Sequence, residues 1–334
     1  MTRLISCCTM AVGICLGLAT VGGAKEFDSS APNVIASSSG KLTVNGKPSF
    51  LIAYHLPTSC PSKELVETAL SMGAEAFHTL TTGCGSQEAP NGTISYIDGL
   101  LNGRALWWSE QTTNVETLPE LVSWQATVRS VGTGHLGPGN REFLSSGCDS
   151  TQGLWANTRA ASGTATQHWI IVSRQVRGEA NAIVDSCMTP RALQAEVMTF
   201  VAAGGDTIMY NGQGVKLNSN DQLDDNFDVR SDVQTAAHNL SVTLRMMEPI
   251  ITQGDLVTVK FGSGSTVKAT GWRYKGSLYV LAVNTKDSAA NGQLGLSQSS
   301  GKAVVIGENR SVRVIKKTIS ERFRGFGWHL YRVG

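Results

Sequence analysis

The positions of hydrophobic residues alternate between two periods along the first part of the chain. Pro48 to Leu56 is an apolar run typical of a buried strand. Glu64 to Met72 carries its apolar residues at helical spacing, with Ser62 in position to cap the helix and Gly73 to end it. The same succession recurs downstream, in segments that we predict as strand 74–80, strand 104–109, helix 118–131, strand 169–176, helix 189–203, strand 206–210 and helix 229–247. Strands that alternate with helices predict a parallel sheet with helical crossovers.

From Asp255 onward the hydrophobic period changes to two, and no helical segment is predicted. The predicted strands are 256–261, 266–274, 277–284, 302–307, 311–315 and 328–333. Lys275-Gly276 and Asn309-Arg310 lie where tight turns are needed. This pattern predicts a small antiparallel β-sandwich as a C-terminal domain, residues 251–334, after an α/β domain of residues 46–250. Residues 25–45 are predicted as a serine-rich, flexible lead-in and a first strand.

The first residues have the layout of a cleavable secretory signal. Arg3 supplies a positive start, Ile5 to Val21 is apolar and uncharged, and small residues precede a predicted cleavage site after Ala24. The alternative is a membrane anchor, but an apolar stretch of about 17 residues is short for a bilayer of roughly 30 Å. We therefore predict residues 1–24 as a signal peptide and a secreted, extracellular mature chain that no membrane holds.

Cysteine and asparagine positions agree with export. The chain keeps four cysteines beyond the predicted leader, Cys60, Cys84, Cys148 and Cys187. Four cysteines allow three pairings, among which we favour Cys60 with Cys84 because they flank one predicted helix and strand. The sequence also has three sequons, at Asn91, Asn239 and Asn309, which a eukaryotic host would glycosylate.

Composition excludes several kinds of partner and chemistry. Charged residues make up 16% of the chain and the net charge is +2, so nucleic acid and anionic membranes are poor candidate partners. No Gly-x-Ser-x-Gly nucleophile motif is present, and the glycine-rich stretch 134–139 lacks the lysine of a phosphate loop. The acidic cluster 221–228 misses the EF-hand spacing. We expect no metal and no cofactor, and the sequence leaves the oligomeric state open.

The order of the predicted elements resembles that of secreted TIM-barrel glycoside hydrolases, of a retaining clan, that carry a C-terminal β-sandwich. Leu42 to Phe50 resembles the hairpin that leads into their first barrel strand, and Lys63 to Phe77 looks like their first helix and second strand. Ala105 to Glu110 resembles the strand that ends in their acid/base carboxylate. Tyr279 to Asn284 and Trp328 to Tyr331 look like strands of their accessory sandwich.

This resemblance implies an α/β fold of the (β/α)8 TIM-barrel type. Only about five or six strands are predicted between Gly46 and Ile250, in a stretch shorter than the ~250 residues typical of such a barrel. We therefore expect a barrel that is incomplete, followed by the antiparallel β-sandwich.

Glycoside hydrolysis usually takes two carboxylates, one to protonate the leaving oxygen and one to attack the sugar or activate water. The resemblance implies that Glu110, at the end of a strand, is the acid/base. The adjacent Trp107 and Trp108 would raise the pKa of its carboxyl group, as an acid that works near neutral pH requires. The alternative for Glu110 is a solvated residue at a helix entrance.

The second carboxylate is harder to find. The resemblance implies a glutamate at the end of the strand 169–176, where this chain has Gln175. Glutamine can hydrogen-bond a sugar hydroxyl but cannot act as a nucleophile or a base. Glu179 and then Asp185 follow in the sequence, and Glu179 is our candidate for this role.

Several residues near predicted strand ends suit sugar binding, since aromatic rings stack on the apolar faces of sugars and polar groups bind the hydroxyls. The candidates are Tyr54, His55, His78, Trp107, Trp108, Trp155, Gln175, Asn211 and Gln213. For each tryptophan or histidine the alternative is an ordinary packing role.

Two hypotheses therefore remain. The first is a secreted glycoside-hydrolase-like protein that acts on polysaccharide or glycoprotein glycans, with Glu110 as acid/base. The second is a catalytically inactive carbohydrate-binding or extracellular interaction protein on the same scaffold. Glu110 and its tryptophans favour the first hypothesis, whereas Gln175 and the short barrel favour the second.

The predicted signal can be tested directly. When the full chain is expressed with its own leader in a secreting host, we expect the protein in the medium to begin at Lys25, as determined by N-terminal sequencing. Leu16→Arg places a charge in the apolar stretch and should abolish cleavage, whereas Thr2→Ala should not. A full-length chain retained in the membrane fraction would support the anchor instead.

Overall fold

The computed structural model describes residues 35–38, 41–56, 61–79, 96, 99–102, 104–109, 129–130, 150–160, 166–171, 175–177, 182–184, 189–211, 216–217, 223–224, 230–297 and 301–334. Up to residue 253, helices are interspersed among the strands. The strands are β1 (Ile35–Ser38), β2 (Lys41–Val44), β3 (Lys47–Pro48), β4 (Leu51–Leu56), β5 (Ala76–Thr79), β6 (Leu106–Ser109), β7 (Arg129–Ser130), β8 (Thr166–Ile171), β9 (Gln175–Arg177), β10 (Ala182–Val184), β11 (Thr207–Asn211), β12 (Lys216–Leu217) and β13 (Leu223–Asp224). The helices are α1 (Lys63–Ser71), α2 (Gln152–Ala160), α3 (Pro190–Ala203) and α4 (Ser231–Gln253).

Six of these strands form one parallel sheet in the order β6-β5-β4-β11-β8-β7. The steps from β4 through β5 to β6 and from β7 through β8 to β11 run in the same direction across the sheet. The first and last of the six strands, β4 and β11, are neighbours. Because crossovers between parallel strands are right-handed, this order places the connecting helices on one face. A doubly wound sheet reverses direction and has helices on both faces.

The packing of the core agrees with helices on one face. Phe50, just before β4, and Ile52 and Tyr54 of β4 pack with apolar residues of α1, α3 and α4 in one buried cluster. Leu51 and Ala53, which alternate with them, are also buried but lie outside this cluster. The sheet therefore has a helix-facing side and a second, opposite side that is covered as well.

Two helices begin where their sequence signals predict. The Ser62 side chain accepts a hydrogen bond from the Leu65 amide (3.1 Å) and caps α1. Thr189 caps α3 in the same way, with Pro190 in the first turn, and α3 ends at Gly204, which has a φ of 99°. These caps satisfy amide groups that have no partner within the helix.

Three local predictions are wrong. Arg129–Ser130 is a strand paired with β8, although we predicted a helix through residue 131. Helix α4 continues through Pro249 to Gln253, because packing of its apolar face outweighs the one backbone hydrogen bond that proline removes. The serine-rich lead-in contains a strand, Ile35–Ser38, which pairs with β2.

The C-terminal part is one antiparallel sheet of eight strands. Its strands are β14 (Asp255–Val257), β15 (Val267–Tyr274), β16 (Ser277–Asn284), β17 (Ala290–Gly295), β18 (Gly301–Val305), β19 (Arg310–Ile315), β20 (Thr318–Phe323) and β21 (Trp328–Val333), in the order β14-β15-β16-β21-β18-β19-β20-β17. Lys260, just beyond β14, exchanges two backbone hydrogen bonds with Gly295 of β17 (3.0 and 2.8 Å). The sheet therefore curls until its two ends meet, instead of forming the two separate sheets of the predicted sandwich.

Two turns of this sheet explain why the β15–β16 hairpin was predicted and β20 was not. Lys275-Gly276 forms the predicted tight turn, with positive φ at both residues (46° and 78°). Lys316-Lys317 forms a similar turn between β19 and β20, with φ of 48° and 64°. Lysine rarely adopts this backbone conformation, so the sequence carries no turn signal there, and β20 was not predicted.

The two parts of the chain share one core. The cluster that lies under the parallel sheet also contains Trp272, Leu281 and Leu330 of the antiparallel sheet. Helix α3 contacts β15, β16 and β21, and α4 contacts β15. Thus α3 and α4 lie between the two sheets. Among the described residues, no helix is long and apolar enough to span a membrane.

A partly buried arginine on α4 joins this helix to the amino ends of two parallel strands. Arg245 forms ion pairs with Glu75, which precedes β5, and with Glu248 one turn further along α4 (3.4 Å). Glu248 accepts a hydrogen bond from the Phe50 amide (3.0 Å), and Arg245 donates to the Phe50 carbonyl (3.4 Å). The Glu75 amide also donates a hydrogen bond to the Ile52 carbonyl of β4, and the Glu75 carbonyl accepts one from the Leu106 amide of β6 (both 2.8 Å).

We expect Arg245→Ala to lower the free energy of unfolding by about 3 kcal/mol, because it removes a positive charge from beside two poorly solvated carboxylates. Arg245→Met keeps most of the side-chain volume and should cost nearly as much. Arg230→Ala, which removes the more exposed pair with Asp232, should have little effect. Urea denaturation measures all three, and a fully stable Arg245→Met protein would show that the charge is not needed.

Candidate functional site

A row of polar and aromatic residues lies at the carboxyl ends of the parallel strands. Asn211 of β11 is the register partner of His55 of β4, His55 that of His78 of β5, and His78 that of Trp108 of β6. Directly paired residues lie on the same face of a sheet. We call these four residues the histidine row.

The layer beneath the histidine row is apolar. Two residues earlier along each strand, Met209, Ala53, Ala76 and Leu106 are register partners, and all four are fully buried. His55 is 7% exposed, so it lies at the boundary between this core layer and the strand ends. In barrels and in open α/β sheets, ligands bind at the carboxyl ends of the strands, and the histidine row lies at that edge.

Tyr54 and Trp107 belong to the neighbouring register row and not to the histidine row. Tyr54 pairs with Phe77, and Phe77 pairs with Trp107. The Tyr54 ring is fully buried in the helix-facing core, with its centroid 6.3 Å from that of Phe77. Burial raises the pKa of its phenol well above the ordinary value, so the group stays neutral.

Tyr210 pairs with Tyr54 and extends the same row. Burial is the main cause that raises the pKa of the Tyr210 phenol. The carboxylate of Glu196 raises the pKa further, and the charge of Arg245 opposes the shift. Both phenols are therefore neutral groups of the helix-facing core.

Gln175 does not lie at the end of a parallel strand. Strand β8 ends at Ile171, which is the register partner of Asn211. Gln175 is in the separate antiparallel hairpin of β9 and β10, where it pairs with Val184. The largely apolar run predicts one strand over 169–176, and this prediction is wrong. The polar residues Ser173 and Arg174, which separate the two strands, were the available signal.

None of the residues in the six parallel strands is Asp or Glu. Any carboxylate at this edge must therefore come from the connecting segments. Glu110 directly follows Ser109, the last residue of β6, but Glu110 and Glu179 both lie outside the described residues. Their catalytic roles stay predictions.

Some of the other predicted sites lie within the described residues and some lie outside them. Cys60, Cys84, Cys148, Cys187 and Asn91 lie outside the described residues. Asn239 is exposed on α4, and Asn309 is exposed in the turn between β18 and β19. Within the described ranges, no group of three or more His, Cys, Asp or Glu residues could hold a metal ion.

Comparison with solved structures shows which class of protein has this fold. A noncanonic maltogenic alpha-amylase, AmyB from Thermotoga neapolitana, is similar with a TM-score of 0.53 and 8% sequence identity, over 85% of this chain and 98% of the amylase. A variant of AmyP in complex with maltotriose is similar with a TM-score of 0.56 and 9% identity, over 85% and 97% of the two chains. No protein-family model matches the sequence, and no curated protein does.

The chain thus has a fold similar to that of TIM-barrel glycoside hydrolases. At 8–9% identity the likeness concerns the fold alone. The chemistry of this chain must therefore be inferred from its own residues. Among the candidate sugar-binding residues, the described strands align the four of the histidine row.

Proposed function

We propose that this protein is a secreted glycoside-hydrolase-like protein that acts on polysaccharide or glycoprotein glycans. The histidine row carries the proposal, because it joins imidazole, amide and indole residue types at the edge of the sheet where barrel enzymes bind their substrates. The amylase-like fold and the saccharide bound by one of the two neighbours support a carbohydrate as the ligand.

The residue types of the histidine row suit a sugar. Imidazole and amide groups donate and accept hydrogen bonds as hydroxyl groups do, and an indole suits the apolar face of a sugar ring. These residue types lie together at this edge only because of the pairing register of the strands. A shift by one residue would replace His55 with Tyr54, whose ring lies in the helix-facing core.

In the proposed reaction Glu110 acts as the acid/base. It gives a proton to the glycosidic oxygen as the bond to the anomeric carbon breaks, while Glu179 attacks that carbon and forms a glycosyl ester. A water molecule then hydrolyses the ester, and Glu110 takes the proton from the water. This retaining course requires the two carboxyl groups to lie about 5 to 5.5 Å apart.

The proposal includes the architecture and the location of the protein. The six parallel strands would be an abbreviated (β/α)8 barrel, and residues 251–334 would be its accessory β domain. Residues 1–24 would direct the chain out of the cytosol. In the oxidising extracellular environment, disulfides between the four remaining cysteines would be stable.

A specific observation favours the second candidate function, a catalytically inactive carbohydrate-binding or interaction protein. The described parallel strands contain no acidic residue, and Ile171 ends the strand where the resemblance implies a glutamate. Such a protein would bind sugars at the histidine row without hydrolysing them.

We expect the mature protein to hydrolyse one or more chromogenic glycosides, and Glu110→Gln to lower kcat by roughly 100-fold or more, since the amide cannot transfer the proton. Glu179→Gln should have a comparable effect. Glu64→Gln alters an exposed carboxylate on α1 and serves as the control, with unchanged kcat. Equal turnover by Glu110→Gln and the wild type would remove Glu110 from the mechanism.

The inactive alternative makes a different prediction. If no glycoside is hydrolysed, isothermal titration with maltotriose should still detect binding, and His55→Ala should weaken it. Thermal unfolding should show first that this variant is folded, because His55 is largely buried. An absence of both turnover and binding across neutral and acidic oligosaccharides would contradict both candidate functions.

A further inference from the structure

An open groove of about 580 Å³ lies between the carboxyl-terminal part of α4 and the antiparallel sheet. This volume is within the roughly 300–1,000 Å³ of small-molecule sites. Its walls come from α4, the β15–β16 hairpin, β18 with its following turn, and β21. The residues that matter below are Met246, Tyr274, Lys275, Tyr279, Val304 and Arg332.

The groove is the part of the sheet that α3 and α4 leave uncovered. Leu281 and Leu330 are register partners and are buried in the core shared with the helices. Two residues away on the same face, Tyr279 pairs with Arg332, and Arg332 pairs with Val304. This second row, Tyr279–Arg332–Val304, lines the groove.

Apolar side chains are exposed on both sides of the groove. Met246 on α4 is 48% exposed and Val304 on β18 is 41% exposed. Single exposed apolar residues are common on protein surfaces, but apolar residues gathered along one groove suit a binding surface.

Two tyrosines give the groove an aromatic surface on a well-defined scaffold. The ring centroids of Tyr274 and Tyr279 are 6.5 Å apart with a 57° tilt, and the Lys275 ammonium lies 5.2 Å from the centroid of the Tyr274 ring. The Lys275-Gly276 turn and the paired strands fix the backbone on both sides. Aromatic rings held in this way lose little conformational entropy on binding.

The positive charges along the groove exclude cationic ligands. Lys275 and Arg332 are the charged residues among those that line the groove, which include no Asp or Glu. A metal cation or a basic peptide would therefore be repelled. A sugar instead finds aromatic faces for its C–H surfaces, and N–H donors on Lys275, Arg332 and Asn309 for its hydroxyl or carboxylate oxygens.

We propose that this groove, the tyrosine groove, binds a saccharide chain at a site separate from the histidine row. It supplies the mixture of apolar floor and polar rim that sugar sites use. The proposal rests on the groove itself and holds whether or not the barrel hydrolyses a glycoside.

The test is isothermal titration of the full mature chain with two probes, maltoheptaose for neutral sugars and an oligogalacturonate for acidic ones. We expect at least one probe to bind, and Tyr279→Ala to weaken binding roughly tenfold through the loss of stacking. Arg332→Ala changes an exposed residue and should weaken binding without affecting the fold. Tyr279→Phe keeps the ring and should bind much as the wild type does.

The matched control is Ile315→Ala, which removes an exposed apolar side chain (62% exposed) from the same sheet outside the groove. It should leave binding unchanged. Unchanged affinity in folded Tyr279→Ala and Arg332→Ala would overturn the proposal, as would wild-type protein that binds neither probe.

His55→Ala separates this proposal from the proposed function. Binding that Tyr279→Ala weakens and folded His55→Ala keeps would support the tyrosine groove even if no glycoside is hydrolysed. Binding that only His55→Ala removes would place the sugar at the histidine row and overturn the groove proposal. A dimer that dissociates in Met246→Asp, with no saccharide bound, would overturn it in favour of self-association.

Discussion

Arg245 holds together the part of the structure on which both candidate sites depend. Its guanidinium pairs with Glu75 and Glu248 and reaches the Phe50 carbonyl, so one side chain ties α4 to the amino ends of β4 and β5. Poorly solvated charges are tolerated only when they are paired, so the three groups require one another. These polar contacts, together with the apolar packing of α4 in the core, fix the helix against the parallel sheet.

Helix α4 then determines much of the remaining architecture. One of its faces packs in the core shared by the two sheets, and its last turns form a wall of the tyrosine groove. Pro249 and Ile250 line this groove, and they belong to the helix because α4 continues through Pro249. The two candidate saccharide surfaces thus belong to one packed unit, although they lie on different sheets.

Local sequence signals predicted elements well where the chemistry is local. Ser62 and Thr189 cap their helices as expected, since a hydroxyl two or three residues from an unpaired amide needs no distant partner. Prediction failed where distant contacts decide. Arg129–Ser130 is a strand because β8 pairs with it, and Lys316-Lys317 forms a turn because the flanking strands pair.

The sequence by itself determined the residue types available for the candidate site, including Glu110 beside two tryptophans and histidines near strand ends. Only the tertiary structure decided which of them come together. Tyr54 and His55 are adjacent in the sequence, yet one lies in the helix-facing core and the other in the histidine row. The reason is that side chains alternate between the faces of a strand, while the register that aligns His55 with His78 and Asn211 depends on pairing between segments far apart in the chain.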